Sequence, residues 1–420
     1  MCDSAHSANP ESDVMITASA SPAPLLSTRG SYRELRCLTQ GDPNPKGFKP
    51  SRPEEEFSKM ASMKNLPVLQ RARILALLLL GIVPALHSQK LVTFDVPGSS
   101  YTHPTAINLI GQITGYYSDS SGYHGFVRQP GGSLTSFDVP LNPGGFPPNA
   151  IPMDINAEGQ IAGFYAFEIQ YHGFLRQPDG TIVQFTSSTL PSSTLQAKVS
   201  VAYDLPTCGG EDWWLPFAIN DLGQITGSGP GDSPGGSGFV RAVDGTLTYF
   251  DVPPQFGVYG STCPHDINVW GQVIGYYVDG GYGGIKRGFL RQPDGSIVRL
   301  DQGDFQVTPI GINFFGQITG VLSNSTGSHA FIRQLNGAMT FFDGPGGALP
   351  AAINALGEVT GICGGSDGLA HGFLREPNGQ IITFVVPKSQ GTFPQSINFF
   401  GKITGYYFDG TTFHGFVRDR

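Results

Sequence analysis

The sequence predicts an all-β fold, a seven-bladed propeller of four-stranded blades, and three observations carry that expectation. The first is composition. There are 58 Gly and 33 Pro in 420 residues, only 14% of the chain is charged, and its apolar runs are short and rich in Phe, Tyr, Ile, Val and Thr. The second is a repeat. The pattern I-N-x-x-G-[QEK]-[IV]-x-G starts at Ile107, Ile155, Ile219, Ile267, Ile312, Ile353 and Ile397, with spacings of 48, 64, 48, 45, 41 and 44. Those lengths suit a propeller blade and are about twice one coil of a β-helix. The third is a count of segments that closes only as a ring.

Each unit reads as four strands. Strand A is the short run into Ile-Asn, strand B is "GQITGYY", strand C is "HGFVRQ" and strand D is "SLTSFDVP". The A–B connection N-x-x-G places Asn first and Gly fourth, the preference of a type I turn: the Asn side chain caps it and Gly accepts a left-handed backbone. The C–D connection, for example Gln177 to Gly180, uses Pro to fix φ and Gly to leave the turn. The mid-strand Gly of strand B (Gly115, Gly163, Gly227, Gly275, Gly320, Gly361, Gly405) marks a bulge or a close neighbouring strand.

Segments of type D occur seven times only if "LVTFDVP", Leu91–Pro97, is included. The seventh unit ends at "HGFVRDR" without a strand D of its own. Leu91–Pro97 is therefore expected to pair beside the last strand C and close the ring, which removes the open edge of a linear array. A solenoid would instead want distinct caps at its two ends. The propeller is expected to occupy Lys90–Arg420.

The upstream 89 residues differ. Residues 1–62 are rich in Ser, Pro and charge and lack apolar patterning, and so are expected to be disordered or a non-native upstream extension. Residues 63–89 have the layout of a secretory signal peptide. Lys64, Arg71 and Arg73 precede an apolar run of 13 residues, Ile74–Leu86, with a cut expected near His87 or Ser88. Such a run is too short to cross a bilayer of about 30 Å. A signal belongs at a start, so translation is expected to begin at Met63 or Met60. The expectation is a secreted or extracytoplasmic chain, periplasmic or extracellular and monomeric, with no stable membrane span once the signal is removed.

From residue 89 onward, 15 basic residues face 25 acidic ones, a net charge of −10. That balance argues against nucleic acid and against anionic membranes. Cys208, Cys263 and Cys363 have no metal-ligand spacing. Cys208 and Cys263 both fall in D–A loops and form a candidate disulfide, while Cys363 in a strand B reads as a buried free thiol. No metal or cofactor is expected.

"SHAFIRQLNG", Ser328–Gly337, contains His-Ala-Phe, and His-Gly-Phe stands at the same place at His124, His172, His371 and His414. With I-N-x-x-G-Q-I-x-G, this resembles the HAF-type extracellular repeat family of bacterial exported proteins over nearly the whole chain past the signal. The resemblance implies location and repeat architecture, and brings no activity. Ser237 and Arg287 depart from the His pattern.

Residues present in every unit are best read as architecture. The strand-C Arg are expected to stack on or bond to an adjacent blade. The His lie in separate blades, on the order of 10 Å apart, whereas zinc wants ligands about 2 Å from one centre. A bond from each His to strand D is the expected role.

Function belongs to what varies. The A–B and C–D turns are uniform and share one face, while the D–A and B–C loops vary on the other. The longest departure lies within residues 186–215 and holds "CGGEDWWLP". There Trp213 and Trp214, beside Glu211 and Asp212, form a candidate sugar platform, or else pack the insertion onto blade three. Tyr117 with Asp119, Tyr277 with Asp279, and Tyr407 with Asp409 are further candidate ligand contacts. The reading is a non-catalytic binding propeller for a glycan or an extracellular protein. Two alternatives stand beside it: a glycan-acting hydrolase or lyase using carboxylates such as Glu168, Glu211, Asp212 or Asp266, and a structural envelope component.

Overall fold

The computed structural model describes residues 90–140, 149–167, 170–185, 215–230, 236–252, 260–279, 284–300, 305–325 and 327–420. Residues 1–62, the signal-like segment 63–89 and the insertion with Cys208, Glu211, Asp212, Trp213 and Trp214 lie outside them, as does Glu168. Every described element is a strand, and the strands form seven four-stranded antiparallel sheets. Blade I consists of strand A (Tyr101–Ile107), B (Ile113–Asp119), C (Gly122–Arg128) and D (Leu134–Phe137). Blades II to VI repeat it, starting at Ala150, Leu215, Thr262, Gln306 and Ala348.

Blade VII takes strands A to C from Gly391–Ile397, Ile403–Phe408 and Phe413–Arg418. Its strand D is Leu91–Phe94, paired antiparallel to strand C from Leu91 opposite Arg418 to Phe94 opposite Gly415. The ring thus closes as the segment count requires.

Strand A is the inner edge of every blade, and strands A of neighbouring blades touch around the central channel. Each carries a Pro (Pro104, Pro152, Pro216, Pro264, Pro309, Pro350, Pro394) immediately before a bulge in the A–B register. An edge strand is where a residue without an N–H does least harm. The bulge pushes strand A onto strand B, and there the mid-strand Gly is needed: a Cβ on Gly115 would lie 2.2 Å from the His103 carbonyl.

Adjacent blades are joined by a repeated aromatic contact. The strand-D Phe of one blade meets the strand-C Phe of the next edge-on, as in Phe137–Phe174 at 6.1 Å and Phe94–Phe126 at 6.2 Å. The strand-C Arg of that next blade covers the same ring, with Arg128 over Phe94 at 4.7 Å and Arg418 over Phe384 at 4.7 Å. Six of the seven Arg stack in this way. The departure is Arg333, because blade IV carries Leu300 where the others carry Phe.

The A–B turns do more than turn. Each Asn closes its own turn, Gly111 N donating to Asn108 O at 3.0 Å, and Gly111 has φ of +84°. Each Asn also spends its Nδ2 donor on the carbonyl of the next blade's Asn. The chain of bonds runs from Asn108 to Asn156, Asn220, Asn268, Asn313, Asn354 and Asn398, then back to Asn108. All seven Asn are buried, so this belt satisfies amide and carbonyl groups that would otherwise be costly to leave unpaired.

Candidate ligand-binding site at the variable rim

Three of the five strand-C His make the bond to strand D expected of them. His124 Nδ1 bonds Asp138 at 2.6 Å, His329 Nδ1 bonds Asp343 at 2.9 Å and His414 Nδ1 bonds Asp95 at 2.9 Å, each carboxylate belonging to the adjoining strand D. Blade VI reads "FVVP", with Val385 in place of the Asp, and His371 turns to Asp367 of its B–C loop at 3.0 Å. Where Ser237 replaces His, its hydroxyl donates to Asp251 at 3.0 Å. Among the described residues no group of three His, Cys, Asp or Glu is arranged to hold a metal ion.

The candidate pairs on the B strands are placed in three different ways. Tyr117 is buried and stacks on His124 at 4.9 Å, while Asp119 bonds Ser121 and His124. Tyr277 is buried, and Asp279 is buried in an ion pair with Arg287 at 3.0 Å. Tyr407 stacks on His414 at 5.0 Å, and Asp409 caps the B–C turn through Thr411 and Thr412. All three Tyr pack between blades. The sequence does not bring them together, and neither does the fold.

The first Tyr of each pair points the other way, to the opposite face of its blade, since alternate residues of a strand face opposite sides. There Phe393 stacks on Tyr406 at 4.9 Å, Tyr406 meets His103 at 3.9 Å, and His103 stacks on Tyr116 at 4.8 Å. This column crosses the closure between blades VII and I. Burial lowers His103 to about 3, so its imidazole is neutral at ordinary pH, and its buried Nδ1 has no hydrogen-bond partner.

Beside the column, a cleft of about 190 Å³ opens between blades VI and VII. It is lined by Leu349, Pro350, Ile362, Phe393, Pro394 and Tyr406, with Ala351 and Gln395 completing the wall. A second aromatic group occupies blades III and IV, where Phe217 stacks on His265 at 6.0 Å and Lys286 covers the Tyr276 ring at 4.7 Å. Burial and the nearby Lys286 lower His265 to about 4.

Asp266, read from sequence as a rim carboxylate, belongs instead to the channel wall. Its two oxygens accept the N–H of Ile267 and of Ile312 in the next blade, both at 2.8 Å. Asp154 does the same for Ile155 and Ile219, at 2.8 and 2.9 Å. Burial raises Asp266 to about 6 and Asp154 to about 7, against the pull of those N–H donors. Both carboxylates fasten blades.

Cys263 is buried and disulfide-bonded, and its partner lies outside the described residues. Cys363 is a buried free thiol, as its strand position implies. Sequence reasoning missed the channel column. Its signal was the unusual residue before each strand-A Pro: His103 and Phe393 stand where other blades have Ile151, Leu215, Cys263, Thr308 and Leu349.

No protein-family model and no curated protein matches the chain. Solved structures do. A streptogramin B lyase superposes with a TM-score of 0.51 at 13% identity, covering 79% of this chain and 98% of that one. Virginiamycin B lyase from Staphylococcus aureus gives 0.50 at 14% identity, covering 79% and 99%. At such identities the likeness is one of fold, and the chain is a β-propeller.

Proposed function

We propose that this is an exported, non-catalytic β-propeller that binds an extracellular glycan or protein through its variable rim and the channel mouth beneath it. Membership in the HAF-type extracellular repeat family, on "SHAFIRQLNG" and its counterparts, is part of the same proposal. The observation that carries it is the Phe393–Tyr406–His103–Tyr116 column beside the cleft between blades VI and VII. Phe393, at the end of the column and in the cleft wall, offers a flat apolar ring for a sugar face or a planar group. Cys263 in strand A of blade IV is disulfide-bonded, and Cys208 is the partner we assign to it.

The test is a glycan array and a turnover screen on the purified propeller. Binding without turnover is expected, weakened by Tyr406→Ala and by Trp213→Ala. No binding to any glycan or extracellular protein would leave the structural envelope role.

A hydrolase reading has one observation of its own. Ser121 Oγ lies 2.9 Å from His124 Nε2, whose Nδ1 meets Asp138 at 2.6 Å, the order of a Ser–His–Asp relay. Against it, Asp119 accepts from the Ser121 hydroxyl at 2.6 Å and lies 3.2 Å from Nε2, so His124 is held between two carboxylates. The same Asp-to-His contact recurs at Asp367–His371 and Asp409–His414, which marks it as a feature of the repeat. Ester turnover that disappears in Ser121→Ala would overturn the binding reading in favour of this one.

A further inference from the structure

Ring closure ends in a contact that depends on a proton. The closing strand Leu91–Phe94 makes a short ladder with strand C of blade VII, from Leu91 opposite Arg418 to Phe94 opposite Gly415. Asp95 lies just past the end of that ladder, and its two carboxylate oxygens lie 2.9 and 3.0 Å from His414 Nδ1. The other ring nitrogen, Nε2, lies 3.2 Å from Asp409 Oδ2 in the B–C turn of the same blade. A neutral imidazole carries one N–H and cannot donate to both carboxylates at once, whereas the imidazolium carries two. The geometry calls for a charged His414.

Asp409 in turn orders the B–C turn. Its Oδ1 accepts the N–H groups of Thr411 and Thr412 at 2.7 and 2.9 Å, and the Thr411 hydroxyl at 2.7 Å. Thr412 Oγ1 then donates to Ser100 O at 2.6 Å, where the chain leaves the closing strand and enters strand A of blade I. One imidazolium thus ties down the closing strand and the turn that holds the next stretch of chain. Asp95 from strand D and Asp409 from the B–C turn are the charges that face it, and Tyr407 of strand B stacks on its ring at 5.0 Å. Blade I places Pro104 against Gly415 beside it and turns its own His103 to Tyr406.

Burial works against the charge on His414, but the hydrogen bonds to Asp95 and Asp409 outweigh it and raise the group above its usual 6.5. A raised folded value means that the contribution is complete below 6.5 and is lost as pH rises through the folded value. Donors from Thr411 and Thr412 hold Asp409 well below the usual carboxylate range, so its contribution is present above about 3.9 and is lost as pH falls through its folded value.

We propose that His414 is a proton-operated latch on ring closure: as imidazolium it fastens Asp95 of the closing strand and Asp409 of the B–C turn together, and loss of its proton releases one of them. The N-terminal strand is then held less firmly above neutral pH than below it. Two other blades supply internal controls. Blade I repeats the clamp at His124, between Asp138 at 2.6 Å and Asp119 at 3.2 Å, but with a strand D that follows directly in the chain. Blade III has Ser237 at that position, bonded to Asp251, and so has no imidazole there.

The experiment is amide hydrogen exchange on the full chain at about pH 6 and about pH 8.5, comparing Leu91–Val96 with the equivalent Leu247–Val252 of blade III. Taking the ratio of the two protection factors removes the base catalysis of exchange itself. The ratio should fall by about two- to fivefold at the higher pH, the size of one exposed ion pair. In His414→Gln it should be the same at both pH values, and in His124→Gln it should fall as in the unaltered chain. A ring-proton titration followed by NMR should place His414 above 6.5, and Asp95→Asn should bring its midpoint down. A ratio indifferent to pH in the unaltered chain, a pH dependence that survives in His414→Gln, or a His414 midpoint at or below 6.5 overturns the proposal.

Discussion

Ring closure buries the Phe94 side chain between blades VII and I, and truncating it gives a measurable cost. Phe94 belongs to the strand that joins blade VII without a covalent link to it. Its ring meets Phe126 edge-on at 6.2 Å and lies under the Arg128 guanidinium at 4.7 Å. It also fills the space left by Gly415, where a Cβ would come within 2.8 Å of it. Phe→Ala in a packed core costs about 3–5 kcal/mol, and Phe94 is partly accessible, so the lower end, about 3 kcal/mol, is expected. Of that, about 0.5–1 kcal/mol is the loss of the cation–π contact, and Arg128→Ala should be non-additive with Phe94→Ala by that amount. The assay is urea denaturation followed by circular dichroism. The control is Phe384→Ala, which makes the same contacts to Phe416 and Arg418 from a covalently continuous blade. The two variants should lose similar stability. If Phe94→Ala shifts the transition by less than about 0.5 kcal/mol, as an ordinary surface change does, then the N-terminal strand does not fasten the ring and the reasoning fails. Deleting Leu91–Pro97 outright should abolish the single cooperative transition.

Asn220→Ala removes the acceptor for the N–H groups of Leu222 and Gln224 and the donor to Asn268 O, all near the buried belt, and is expected to cost about 2–4 kcal/mol by the same assay. Leu300→Phe restores the ring missing beneath Arg333; the denaturation midpoint should rise, by about 0.5–1.5 kcal/mol in free energy. Asp154 keeps its proton to about 7 when folded, whereas an unfolded Asp ionises near 3.9, so its contribution is complete below that value and is lost as pH rises to about 7. Stability measured from pH 4 to 7 should therefore fall with pH less steeply in Asp154→Asn than in the unaltered chain, and an unchanged slope would rule the assignment out.

The strands, the turn chemistry, the number of blades and even the closure by Leu91–Pro97 were legible without coordinates. Each is written within some tens of residues as alternation, Asn and Gly at fixed offsets, and a countable repeat. The strand-B Gly and the strand-C Arg were legible for the same reason: seven copies separate what the fold needs from what a ligand needs.

What the tertiary structure decided is which atoms meet across blade boundaries. The Asn that closes a turn also bonds the Asn of the next blade, 48 residues on for Asn108, because seven turns converge where a linear reading sees seven separate ones. Which Tyr of each pair faces which neighbouring blade depends on the register of strand B in its blade, and a one-residue change would exchange the two. His103 and Tyr406 touch only because the ring brings the first and last blades side by side. Local periodicity fixes which elements form; only closure in space fixes which of their faces become core, channel wall or surface.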